Sequence, residues 1–167
     1  MATRWTLFAS IFLVALALMP AGAHLLALPN KIGMNGADYV IAQQIYRGWA
    51  LIGVIDFAAI AATAFLAWRV RHSAAMFPPT ALALGCLVAT QLVFWTLNFP
   101  GNQQTHNWTM LPANWESLRI RWEVGHALSA ALIITALAAL LVALLRSDPL
   151  LPRNVPDAFP AGVSANR

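Results

Sequence analysis

Four residues between Arg119 and His126 have the types and the spacing to do chemistry together. Arg119, Trp122, Glu123 and His126 fall at i, i+3, i+4 and i+7, which on a helix confines them to one arc of about 100°. They combine a fixed cation, a large π surface, a carboxyl and an imidazole. With His126 or Glu123 as general base, such a set can take a proton from an acidic ring carbon while Arg119, together with Asn98 from another segment, stabilises the oxyanion that results. Arg121, between them, points the other way. The same stretch also reads as an interfacial anchor, with Arg and Trp at headgroup level and Glu123 paired to Arg119 at i, i+4. His126 does not fit that second reading, because it lies one to two turns deeper and gains nothing from snorkelling.

Other polar residues that interrupt apolar stretches complete the candidate set. Asp56 shares a helical face with Tyr46, Trp49 and Gly53, about 12 Å below the boundary of its segment at 1.5 Å per residue. A carboxyl at that depth is protonated or finds a cation or donor. It is therefore either a structural link between helices or a proton-handling or substrate-binding acid. Gln91, Trp95 and Asn98 align on another face, where amides also serve as bundle glue. His24 lies one turn before the end of the first apolar segment, with Pro20 one turn deeper, and Arg47 opens the second. Trp49, Trp95 and Trp122 offer faces on which a flat ring can stack. Gln103, Gln104, His106, Trp108 and Trp115, in the connection 99–117, are suited to capping a pocket.

The elements that must hold these residues are membrane spans. Of the 167 residues 60% are hydrophobic and only 10% charged, far below the ~25% charged residues of a soluble domain. A span needs roughly 20 apolar residues, and four segments qualify: 5–28, 46–68, 79–98 and 118–145. Their stops are Leu28-Pro29-Asn30, Arg69-Val70-Arg71, Phe99-Pro100-Gly101 and Arg146-Ser147-Asp148-Pro149. The expected fold is all-α, an integral membrane four-helix bundle over 1–148, followed by a disordered tail over 149–167.

Arg4, Arg69, Arg71, Arg146 and Arg153 flank one side, and Lys31, Arg47, Arg119 and Arg121 the other, which predicts cytoplasmic termini. The outer cations lie beside Asp38, Glu116 and Glu123, which offer them local partners. Scattered as they are, the cations behind the net charge of +4 form no nucleic-acid face. The single cysteine, Cys86, excludes disulfide redox chemistry within the chain. The first span has a competing reading as a signal peptide cleaved after Ala23, which would expose His24 as a new N-terminus. His24, Arg47, Trp49, Asn98, Arg119, Glu123 and His126 all converge on the outer mouth.

The stretches AHLLALPNKIG, IYRGWALIG, LNFPGNQQ and WESLRIRWEVGHALSAAL resemble a bacterial four-span family related to anthrone oxygenases, over about His24 to Leu145. Asn98, Arg119, Trp122 and His126 carry the match. The run after Asn98 departs from the family's plain double-asparagine pattern. The resemblance implies a multi-pass protein of the bacterial inner membrane that oxidises a lipophilic aromatic or quinone-like molecule with molecular oxygen, without metal or organic cofactor.

Two alternatives stand beside that enzymatic reading. One is a haem or metal protein with His24 and His126 as ligands from facing helices. The other is a non-enzymatic module: a small transporter, an assembly partner or a lipid-binding protein. Expected partners are the bilayer, a lipophilic aromatic molecule and, for assembly, a second copy of the chain.

Overall fold

A computed structural model describes residues 2–147, and no strand occurs among them. The expected disordered tail, 149–167, lies outside the described residues. The helices are α1 (Ala2–Lys31), α2 (Gly36–Gln43), α3 (Gly53–Arg69), α4 (Phe77–Val93), α5 (Phe99–Gln104) and α6 (Trp115–Leu145). The four long helices form a ring in which α1 and α4 each pack against both α3 and α6. Four segments are long and apolar enough to cross a membrane: Ala2–Lys31, Trp49–Arg69, Phe77–Gln104 and Trp115–Leu145.

Side-chain size is sorted between the two faces of the ring. Ala17 and Ala21 of α1, Ala59 of α3, Ala83 of α4 and Ala130, Ala136, Ala139 and Ala143 of α6 are buried. Small inward residues let helices approach closely, which is how they associate when the solvent is as apolar as their side chains. Phe8, Phe12, Leu26, Leu51, Phe57, Leu92, Ile134 and Leu145 face outward. The segment before Ala23 supplies its share of the core through Leu7, Ser10, Val14 and Ala17.

Three expected boundaries are corrected, all at the same end of the bundle. The first helix does not stop at Leu28 but runs through Pro29 to Lys31, because burial of the Lys31 side chain outweighs the lost proline hydrogen bond. The second span does not begin as a continuous helix at Tyr46. Gly48, at φ 85°, separates two 3-10 turns, Gln44–Tyr46 and Trp49–Ile52, before α3 starts at Gly53. A positive φ of this kind is open to glycine at little cost. The third span passes the expected stop at Phe99-Pro100-Gly101 and ends at Gln104. A π-turn over Phe94–Asn98 precedes it, with the Phe99 N–H donating to the Phe94 carbonyl five residues back. Pro100 then falls in the first turn of α5, where its missing N–H costs little.

The π-turn also sets the register that turns Asn98 inward, where it is 1% exposed. Its Nδ2 donates to the Trp122 carbonyl at 2.8 Å, so its side chain lies flat against Gly125. A Cβ at Gly125 would stand 2.6 Å from Asn98 Oδ1. Gly125→Ala is therefore expected to destabilise the bundle by about 1–3 kcal/mol, measured as a lower thermal midpoint in detergent. Adding Asn98→Ala should recover part of that loss, and a double variant no better than the sum of the singles would disprove the contact.

Candidate functional site

A cavity of about 600 Å³ opens at the irregular end, lined by α1, α3, α4, α6 and the loop after α5. His24, Arg47, Trp49, Asp56, Trp95, Asn98, Trp122 and His126 all line it, as does Gln91. Helical spacing on separate spans thus identified residues that converge. Arg119 and Glu123, although on the same face of α6, do not reach the cavity wall. They lie toward the start of the helix, in a layer that caps the site.

Two imidazoles form the centre. The rings of His24 and His126 stack with centroids 4.0 Å apart and planes at 24°. Trp122 presents itself edge-on to both, at 5.0 Å from His24 and 4.1 Å from His126. Tyr46 and Trp49 close the other side of His24, at 4.1 and 5.6 Å. The break at Gly48 allows this, since it puts these two rings on separate turns that fold over one imidazole. Among the described residues, His24 Nδ1 finds no hydrogen-bond partner in the protein. Face-to-face stacking leaves no slot for a porphyrin between the rings, as trans-axial ligation of a haem requires. No group of three or more metal-ligating side chains occurs among the described residues.

The capping layer is built on a buried ion pair. Lys31 Nζ lies 3.0 Å from Glu123 Oε1, with the two side chains 4% and 0% exposed. This corrects the expected Arg119–Glu123 pair at i, i+4. Arg119 instead donates to the Met34 carbonyl and stacks over Trp115, 4.7 Å from the ring centroid. It fastens the α1–α2 connection. Tyr39 donates its phenol to Glu123 Oε1 at 2.9 Å, and Gln43 donates to the Tyr39 oxygen. Burial and the adjacent Glu123 carboxylate push the Tyr39 phenol well above its ordinary range, so the proton stays on tyrosine and the bond keeps its direction. The Lys31 ammonium also lies over the rings of Tyr46 and Trp122, at 4.6 and 5.1 Å. These are the rings that sandwich His24, so the cap and the histidine stack share two side chains.

The loop after α5 forms the rest of the roof. His106, Asn107 and Trp108 adopt φ values of 48°, 57° and 61°. Three successive left-handed residues other than glycine are strained. The payoff is Trp108, 3% exposed and packed edge-on to Tyr39 at 5.0 Å and Trp122 at 5.7 Å. Of the residues expected to cap the pocket, His106 and Trp108 line it, whereas Gln103, Gln104 and Trp115 do not. Asn102 takes a place among them, accepting from Trp122 Nε1 at 2.8 Å.

Lys31, Tyr39, Gln43 and Asn102 were not among the sequence candidates. Lys31 carried a signal, since it stands at i+7 from His24 and shares its face once the helix is allowed through Pro29. Tyr39 and Gln43, at i, i+4, lie in a connection whose polarity hid a helix. That helix is capped by Asn35, whose side chain accepts from the Asp38 N–H at 3.0 Å.

Lys31→Met strands a buried carboxyl and is expected to lower stability by about 3–5 kcal/mol. Lys31→Met combined with Glu123→Leu removes both charges and should lose clearly less, as read from thermal unfolding in detergent. A double variant as unstable as the sum of the two singles would show that the groups do not act as a pair. No family model, curated protein or solved structure matches the chain.

Proposed function

We propose that the chain is an integral membrane enzyme, with both termini cytoplasmic, acting on a planar lipophilic aromatic or quinone-like molecule. The observation that carries this reading is the stacked His24–His126 pair on the wall of a cavity of about 600 Å³ bounded by indole and phenol rings. Cavities of about 300–1,000 Å³ suit ligands of three or four fused rings. The aromatic walls supply stacking surface, and the imidazoles supply a base with no carboxylate of their own to neutralise it.

In this reading His126 takes a proton from an activated ring methylene, and the carbon keeps the electron pair. Asn98, whose amide retains a second N–H after bonding to the Trp122 carbonyl, donates to the enolate oxygen. Asn98 thus takes the role that Arg119, bonded to Met34 outside the cavity, would have had. The carbanion forms a C–O bond with molecular oxygen, and the peroxide recovers the proton from His126. Loss of water then leaves a carbonyl. The methylene carbon is oxidised, and O₂ is reduced, with one atom in the carbonyl and one in water. The resemblance to the anthrone-oxygenase-related family supports this reaction class. Trp122 and His126, two of the residues that carry it, are cavity residues.

Anthrone is a suitable probe because its methylene is doubly activated. The protein in detergent is expected to consume one O₂ per anthraquinone formed, and His126→Ala to be slower by about 100-fold or more. Turnover unchanged in a folded His126→Ala variant would end this assignment. Anthrone that binds but is not oxidised by the wild type would instead identify a non-enzymatic binding module.

A further inference from the structure

Asp56 is the one carboxyl among the described residues that line the cavity. The single ion pair among the described residues joins Lys31 to Glu123, so none of them pairs with Asp56. Among the described residues the only fixed cation on the wall, Arg47, belongs to an exposed turn nine residues earlier in the chain. An ionised carboxyl within an apolar span is costly unless something compensates it. Asp56 is half-buried and open to the cavity, so a partner for it can come from there.

The surroundings of Asp56 specify what that group can be. Asp56 lies seven residues beyond Trp49, Ala17 lies seven before His24, and Ile133 lies seven after His126, and all line the same cavity. Each is about two helical turns, or roughly 10 Å, from the capped end. Asp56 therefore belongs to the floor, with Thr90 and Ser129, while the histidines belong to the upper wall. Above it the 3-10 turn Trp49–Ile52 and the π-turn Phe94–Asn98 put Trp49, Phe94 and Trp95 on the wall of the same cavity. One carboxylate with no second acidic ligand is poor coordination for a metal ion, which takes several oxygen donors. A carboxylate at the bottom of a cavity with aromatic walls is suited to an organic ring cation, held by charge at one end and by ring stacking along its length.

We infer that the cavity floor is a binding site for the positively charged nitrogen of a planar lipophilic cation, with Asp56 as its counter-ion and Trp49 and Trp95, higher on the same wall, against its ring system. This names the substrate class of the site proposed above and rests on its aromatic cavity. A ligand so anchored extends its rings upward toward His24 and His126. Asp56 thereby selects a cationic ring system over a neutral one of the same shape.

The test uses two fluorescent tricyclic probes of nearly equal size, 10-methylacridinium and 9-methylanthracene, titrated into the full chain in neutral detergent. The wild type is expected to bind the cation more tightly than the hydrocarbon by about tenfold or more. Asp56→Asn should bring that ratio close to one, and Asp56→Glu should restore the preference. Equal binding of the two probes by the wild type would overturn the inference while leaving the aromatic cavity intact. So would a preference that survives in Asp56→Asn. Failure of both probes to bind would overturn both this inference and the cavity reading beneath it, and failure of the cation alone would overturn this inference.

Discussion

The arrangement of this end of the protein depends on burying Lys31 against Glu123. Two charges withdrawn from water are tolerable only at short range from each other. Lys31 reaches Glu123 because α1 continues through Pro29. Tyr39 donates to the same carboxylate oxygen, Oε1, which requires α2 to lie across the mouth of the ring, and Gln43 bonds the Tyr39 oxygen from the next turn. The ammonium rests on Tyr46 and Trp122, and those rings hold His24. The ion pair therefore fixes the cap, and the cap fixes one imidazole of the pair.

Departures from regular geometry gather around the same cavity. The left-handed Gly48, the π-turn at Phe94–Asn98 and the left-handed run at His106–Trp108 each turn a side chain inward that a regular helix or loop would leave elsewhere. Gly48 brings Tyr46 and Trp49 onto His24. The π-turn buries Asn98, and the strained loop inserts Trp108 between Tyr39 and Trp122. π-turns and strained residues recur at functional sites because surrounding contacts must hold such conformations in place. The opposite half of the bundle has regular helices and a core of alanine and aliphatic residues. One half supplies rigidity and the other shapes a site.

Two kinds of charge placement result. Glu123 has its counter-charge built into the protein, which makes it a structural group. Asp56, with none, presents its carboxyl to the cavity, and His24 and His126 present imidazoles to the same space. Charge compensated within the fold lies in the cap, and the Asp56 carboxyl lies on the cavity wall.

Four apolar segments and the inward stripe on α6 were legible in the sequence, because hydropathy and a 3.6-residue period depend only on local order. Those two features also foretold that His24, Arg47, Trp49, Asn98, Arg119, Glu123 and His126 would converge on one mouth, where Arg119 and Glu123 belong to the cap and the other five to the cavity wall. Local order could not say which charged groups pair. Arg119 and Glu123 are ideally spaced neighbours on one helix, yet each has a partner from the α1–α2 region, since burial rewards contacts across the bundle over exposed pairs along one helix. The extension past Pro29, the π-turn before Pro100 and the helix α2 had the same origin. In each, local breaking signals yielded to side chains whose partners lie far away in the chain. The sequence by itself determined the helices and the inward residues, because these follow from solvent matching. Only tertiary structure decided that Glu123 belongs to the cap and Asp56 to the cavity, because a buried charge takes its meaning from the distant group that does or does not answer it.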